Sequence, residues 1–248
     1  MNMLANLTTQ EDIADERDSV GGGGVLDSNL YEMTIEYAYL TKSDGGALAL
    51  NLRLKTEDGR EIRSQQWMTS GTAKGCVNYY TDRQGNKQYL PGFNMANAAA
   101  LLTTGKEISQ LSTEQKVINL YNSEAKAEVP TKVDMITELL GKKILVALLR
   151  QKVDKTQKNE ATGAYEPTGE TREENEIDKI FRASDKKTTA EIRAQAEEAT
   201  FYKTWADKWV GKVKDKTAKD AAGKTGTAGA PKAAGAAGTK KPTQSLFS

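Results

Sequence analysis

Residues 78–94 (NYYTDRQGNKQYLPGFN) gather Tyr79, Tyr80, Tyr89 and Phe93, four of the sixteen aromatic side chains, around Arg83, Asn86 and Lys87. Asp82-Arg83-Gln84-Gly85-Asn86 is a turn signal, because Gly and Asn tolerate positive φ and Asp can bond its own backbone. The ring clusters therefore flank a hairpin, here termed the finger. Rings set among cations and amides suit stacking on nucleic-acid bases, at about 1–3 kcal/mol per ring, beside cations that follow the phosphates. Packing is the competing reading: Tyr79 or Tyr89 lies against the body of the protein, and Phe93, next to Pro91-Gly92, anchors the helix after the finger.

Composition narrows the other chemistries. The chain of 248 residues contains no histidine and one cysteine, Cys76. Ser-His-Asp and Cys-His nucleophilic sites, and zinc sites that need imidazole or several thiolates, are therefore ruled out. A carboxylate site for magnesium remains open, but the acids are interleaved with lysines and arginines, the pattern of a solvated face. No cofactor and no metal is expected. A lone thiol suits a reducing compartment. The first twenty residues are acidic and lack an apolar run, and no segment nears the roughly 18 apolar residues of a membrane span. The expectation is a cytosolic-type protein with no membrane partner.

A net charge of +1 hides opposed ends. Residues 1–24 carry five acids against Arg17, or −4, and residues 211–248 carry eight lysines against Asp215 and Asp220, or +6. The remainder is close to neutral, yet residues 60–106 hold six basic residues against Glu61 and Asp82, or +4. The basic stretch is also the aromatic one.

The elements that must position these residues can be read from periodicity. Residues 1–24 form a flexible acidic arm ending in the glycine run 21–24. Residues 30–40 alternate, placing Tyr31, Met33, Ile35, Tyr37 and Tyr39 on one face. After a turn at Ser43-Asp44-Gly45-Gly46, residues 47–56 put Leu48, Leu50, Leu52 and Leu54 on one face and Asn51, Arg53 and Lys55 on the other. Glu57-Asp58-Gly59 turns the chain into a third strand, 60–68, with Arg63 and Trp67 on one side. The finger comes next, then a helix over 94–103 stopped by Gly105. Short strands are expected at 116–121 and 131–135, a short helix at 136–140 and a long apolar strand at 144–153. An exposed loop spans 154–169, with another strand at 176–183. Helices at 189–199 and 201–213 come last, the second packing through Phe201, Trp205 and Trp209. From residue 214 to 248 the Ala/Gly/Lys-rich sequence reads as a disordered tail. Its Gly223-Lys224-Thr225 is a chance fragment of a phosphate loop, since Ala218 stands where the motif needs glycine.

Three meandering strands, a helical excursion and two further strands give the order of an OB-fold. The expected class is mainly β with added helices: a five-stranded barrel over 25–213 carrying an aromatic hairpin insertion, with disordered tails. Such barrels bind oligonucleotides on strands 2 and 3. The candidate nucleic-acid-binding residues are therefore Arg53, Lys55, Arg63 and Trp67 on that face, Lys74 after it, and Tyr79, Tyr80, Arg83, Lys87 and Tyr89 on the finger. Trp67 has its own packing alternative, a strand residue capped by the excursion.

GGGGVLDSNLYEMTIEYAYLTKSDGGALAL, the finger with QYLPGFN, LLTTGKE and PTGETREENEIDKIF resemble the single-stranded-DNA-binding proteins of lytic podophages that package a giant virion RNA polymerase. The likeness runs from about Asp18 to Trp209. It implies a non-catalytic protein in the cytoplasm of the infected bacterial host, acting in phage DNA replication and recombination and, for part of the group, linked to late transcription through host RNA polymerase. It also implies single-stranded DNA as partner; apart from the resemblance, the +6 tail can present its lysines and Leu246-Phe247 to phage replication proteins or host RNA polymerase, and self-association along DNA is open. That tail departs from the acidic tip of bacterial single-strand binders and closes with Leu246-Phe247-Ser248. The alternatives are a virion structural or scaffold protein, which gives no reason for the finger, and a carboxylate-metal nuclease.

Overall fold

Strand β1 (Asn29–Lys42) sets the plan of the computed structural model, which describes residues 24–122, 124–160 and 163–217. It pairs antiparallel with β2 (Leu48–Thr56), and β2 pairs with β3 (Glu61–Trp67), giving the expected meander. Leu50, Leu52 and Leu54 are buried, as strict alternation demands. β1 departs from its expected pattern. Its register shifts between Ile35 and Tyr37: Ile35 lies opposite Leu54, but Tyr37 lies opposite Arg53 and Tyr39 opposite Asn51. Glu36 is the extra residue of a β-bulge, and one extra residue reverses which face every later side chain takes. Met33 and Ile35 stay in the core, Ala38 and Leu40 succeed them there, and Tyr37 and Tyr39 turn outward. The single face expected for Tyr31 to Tyr39 is thus broken in two. Both backbone groups of Ile35, next to the bulge, are paired: its N–H donates to Lys142 O (2.9 Å), and its O accepts from the Gly141 N–H (2.8 Å).

The finger is a separate two-stranded sheet of β4 (Tyr79–Thr81) and β5 (Lys87–Tyr89). Its turn is held by the Asp82 carboxylate, which accepts from the N–H groups of Gln84 (3.0 Å) and Asn86 (2.8 Å). Helix α1 (Pro91–Thr104) begins with Pro at its first position and stops at Gly105 in the left-handed conformation (φ 75°). Its buried Ala96, Ala99 and Leu102 join the core. At Gly92 a Cβ would stand 2.2 Å from Trp67 O, so only glycine lets the first turn of α1 lie on the end of β3.

β6 (Glu114–Asn122) and β7 (Ala127–Met135) form a hairpin that joins β1 through Tyr39↔Met135 and Leu40↔Asp134. β8 (Lys143–Lys158) pairs with the first half of β1 and, along its length, with β9 (Tyr165–Arg182). Most of residues 154–169, expected as a loop, is therefore the end of a long hairpin, with Thr156↔Pro167 and Lys158↔Tyr165 in register. It is polar on both faces because it projects beyond the core, which removes the alternation that marks a strand. Helices α2 (Thr189–Arg193) and α3 (Phe201–Trp209) are shorter than expected. β10 (Val213–Asp215) then runs parallel to β8, and the Lys216 N–H donates to Lys152 O (2.8 Å). Residues 214–217, expected in the tail, thus belong to the folded unit. The acidic arm with residues 21–23, and the tail from 218 with Gly223-Lys224-Thr225 and Leu246-Phe247, lie outside the described residues.

The described residues are mainly β with three α-helices, the strands ordered β10-β8-β1-β2-β3 with β9 beside β8. Among the described residues β3 and β9 share no ladder; α1 packs against both. α3 lays Trp205 among Ala147, Leu149 and Phe181, where its indole donates to Asp178 (2.8 Å), so the aromatic spacing of that helix does report packing. Ser28 is fully buried: its O accepts from the Gly211 N–H (2.9 Å), its hydroxyl donates to Lys212 O, and the same hydroxyl accepts from the Arg150 N–H (2.8 Å). No helix among the described residues is long and apolar enough to cross a membrane.

Glu191 ties α2 to α3. Its Oε2 accepts from the Thr188 N–H (2.8 Å), and its Oε1 accepts from the N–H groups of Thr200 (2.7 Å) and Phe201 (2.9 Å). Burial works to raise its pKa, but these backbone donors prevail and hold it at about 2.

These contacts set two expectations for stability. Gly92→Ala should lower the urea midpoint, because overpacking against backbone costs about 1–3 kcal/mol and outweighs the roughly 1 kcal/mol that alanine gains in a helix. A raised midpoint would show that α1 and β3 separate freely. Glu191 is depressed on folding from about 4.5 to about 2. Its charge therefore stabilises fully above about pH 5 and ceases to do so as pH falls toward 2. Glu191→Gln should lower Tm at pH 7, with the gap closing across that window; a gap constant with pH would assign the effect to neutral hydrogen bonding.

Candidate nucleic-acid interface

The outer face of β1, β2 and β3 is built in rows fixed by register. Tyr37, Arg53 and Arg63 form one row, and Tyr39, Asn51 and Gln65 the next. Trp67 closes the face beside Ala49. Across from these strands stand Asn119, Leu120 and Tyr121 of β6 and Glu128 of β7, leaving a groove of about 300 Å³. Amides hold its floor: the Gln65 side chain donates to Asn51 (3.1 Å), which donates to the Thr41 hydroxyl (2.8 Å). Tyr121 is 60% exposed and Trp67 42%, so both rings offer area to a ligand. Trp205 is 3% exposed. Truncating a buried Trp costs about 3–5 kcal/mol of stability. Trp67, exposed as it is, can be removed at far less cost to the fold.

The charges of this face are partly spent on one another. Arg53 is hydrogen-bonded to Glu61, lies 3.2 Å from Glu36 and sits 5.3 Å from the centre of the Tyr37 ring. Lys55 reaches Glu36 (3.3 Å), and Arg63 reaches Glu61 (3.7 Å). The hydrogen bond from Arg53 is the main reason that Glu61 is held below the usual carboxylate range and Arg53 above its own. Three cations, Arg53, Lys55 and Arg63, against two acids, Glu36 and Glu61, leave this cluster at +1.

The finger carries its cations unpaired. Among the described residues Arg83, Lys87 and Lys74 make no ion pair. Lys74 sits apart from the finger, in a 3-10 turn at Thr72–Lys74. Lys87 Nζ lies 4.5 Å from the centre of the Tyr79 ring, and Tyr89, 58% exposed, packs at 5.0 Å on Phe93. Tyr79 and Phe93 line an apolar cleft of about 370 Å³ with Leu40, Leu48, Met68 and Ile108. Packing against the body therefore holds for Tyr79 and Phe93, while Tyr80 and Tyr89 remain exposed.

Comparison with known protein families and with characterised proteins finds no match, so function rests on the chemistry of the groove and the finger. Sequence reasoning missed Tyr37, Tyr39 and Tyr121. The first two are hidden by the bulge, and Glu36, an acid inside an apolar run, was the available signal. Tyr121 lies on a hairpin whose approach to the face has no local signature. Among the described residues no group of three or more Cys, Asp or Glu side chains is placed to hold a metal ion.

Burial raises the pKa of the Tyr39 phenol, while Arg63 and Arg53 pull it down. Arg63→Ala should therefore move that phenol further up, measured by NMR titration of labelled tyrosine. A downward or absent shift would remove Arg63 from the row beside Tyr39.

Proposed function

We propose that the protein binds single-stranded DNA without catalysing a reaction on it. The observation that carries this is the groove, in which Tyr37 and Tyr39 of β1 and Tyr121 of β6 stand with the amides and arginines of β2 and β3, while Trp67 stays exposed farther along β3. Bases stack on such rings with little regard to sequence, and each stack supplies more than one surface cation does. A face of low net charge is therefore sufficient when unpaired cations follow it in the chain, as Lys74, Arg83 and Lys87 follow β3. Exposed Tyr80 and Tyr89 extend the stacking surface beyond the groove.

The five barrel strands in this reading are β1, β2, β3, β8 and β9, an OB-type arrangement in which α1 fills the gap between β3 and β9. The resemblance over residues 18–209 to podophage single-strand binders supports a role in coating and protecting single strands during phage replication and recombination in the host cytoplasm. It also supports a link to late transcription, with replication proteins or host RNA polymerase meeting the basic tail.

Fluorescence anisotropy with a single-stranded oligonucleotide and its duplex, over a salt series, tests the proposal. Single strands should be preferred. With four to six phosphates met by cations, log K should fall against log salt with a slope of about −3 to −4. Trp67→Ala and Tyr80→Ala should each cost about 1–3 kcal/mol of affinity without lowering Tm appreciably. Arg83→Ala and Lys87→Ala should chiefly flatten the slope. Equal affinity for duplex, or a slope near zero, would overturn strand-selective binding.

A further inference from the structure

α3 carries a second set of rings with cations held against them. Lys186 Nζ and Lys203 Nζ lie 5.0 and 5.9 Å from the centre of Tyr202. Lys208 Nζ and Lys214 Nζ lie 5.2 and 5.6 Å from the centre of Trp209. Burial of Trp205 fixes the rotation of the helix and leaves Tyr202 and Trp209 half-buried on its flanks. Seven residues separate the two rings, about 10.5 Å along a helix.

The surroundings do not neutralise these lysines. Residues 200–217 hold five lysines against Asp207 and Asp215, or +3. Among the described residues Lys186, Lys203 and Lys208 make no ion pair, whereas Lys214 reaches Asp178 (3.9 Å) and Lys216 pairs with Glu176. Each cation–ring contact at an exposed site contributes about 0.5–1 kcal/mol. That is enough to bias an ammonium group toward a fixed place and too little to neutralise its charge. The result is a row of positioned, unpaired positive charges.

The outer face of β1 links this row to the groove, and the two acids on the way are each met by cations: Glu36 by Arg53 and Lys55, and Glu32 by Lys143 (2.8 Å). The outer face of β1 carries Tyr39 and Tyr37 at the groove and Leu30 at its other end, and Leu30 packs in the cluster beneath α3. Seven residues of strand separate Leu30 from Tyr37, a rise of about 23 Å. We propose that α3, with Lys186, Lys203 and Lys208, is a second contact surface for the phosphate backbone of a single strand that has already crossed the groove. This rests on the single-strand reading of the groove. Continuity with that face favours a nucleic-acid strand over an acidic protein as the ligand.

The test uses the full chain and two oligonucleotides, of about 5 and about 16 nucleotides, near the two limits of what one such domain holds. The triple variant K186A/K203A/K208A should bind the short one as the parent does. It should bind the long one about 10-fold more weakly at about 0.15 M salt, with the slope flatter by about 2, since three phosphates are released. The corresponding triple arginine variant should restore the slope. Lysine acylation of the unmodified protein, read by mass spectrometry, should show Lys186, Lys203 and Lys208 protected by the long strand and not by the short one; this readout does not depend on the variant folding. Unchanged binding of the long strand, equal loss for both lengths, or no protection would each overturn the second surface and leave the groove standing. A parent that binds neither oligonucleotide would overturn both.

Discussion

One extra residue in β1 divides the molecule into a part that folds and a part that is offered to solvent. Without the bulge at Glu36, Tyr37 and Tyr39 would continue the inward series of Met33 and Ile35, and Ala38 and Leu40 would face outward. Two large polar-tipped rings would then occupy space filled by an alanine and a leucine, and a close-packed core does not accept that volume without strain. Core volume thus selects the bulge, and the bulge delivers the rings to the outer face. Glu36 also contributes its carboxylate, which meets Arg53 and Lys55. The residue that turns the tyrosines outward is therefore among those that set the charge beside them.

A second constraint fixes the far edge of the same face. The close approach of Gly92 to Trp67 O seats the first turn of α1 on the end of β3. The finger lies between them in the chain, its base closed by the Leu90 N–H donating to Asn78 O (2.9 Å). α1 reaches on to β9, so the helix that closes the core is also the one that positions the exposed hairpin. Burial of alanines along α1 makes this possible, since small side chains let a helix approach two strands at once.

Much of this plan was legible. β2, with its four alternating leucines, could be read directly, as could the turns of the meander, the finger, α1 with its glycine stop and the packing role of Trp205. Three features were not. The β1 bulge was hidden because Ile35, Tyr37 and Tyr39 alternate as well as Ala38 and Leu40 do, so either parity looks acceptable. The outer half of the β8–β9 hairpin is polar on both faces, and a strand with nothing to bury shows no period. β10 is three residues long and pairs in parallel with a strand some sixty residues earlier, a long-range choice that local sequence does not encode. For the site, Trp67, Arg53 and Arg63 were placed on the correct face, but the acids that engage the arginines come from positions visible only in register.

The buried hydroxyl of Ser28 joins the two ends of the folded unit, bonding to Lys212 O and to the Arg150 N–H while its carbonyl takes the Gly211 N–H. The first and last described segments thus meet, held by bonds across more than 180 residues. On the ribosome, β1 is made first yet lacks these partners until Lys212 has emerged, so its outer end is finished by almost the last residues of the domain. The same adjacency suits the described unit to circular permutation: joining its two meeting segments and opening the chain between β8 and β9 would leave every core strand uncut.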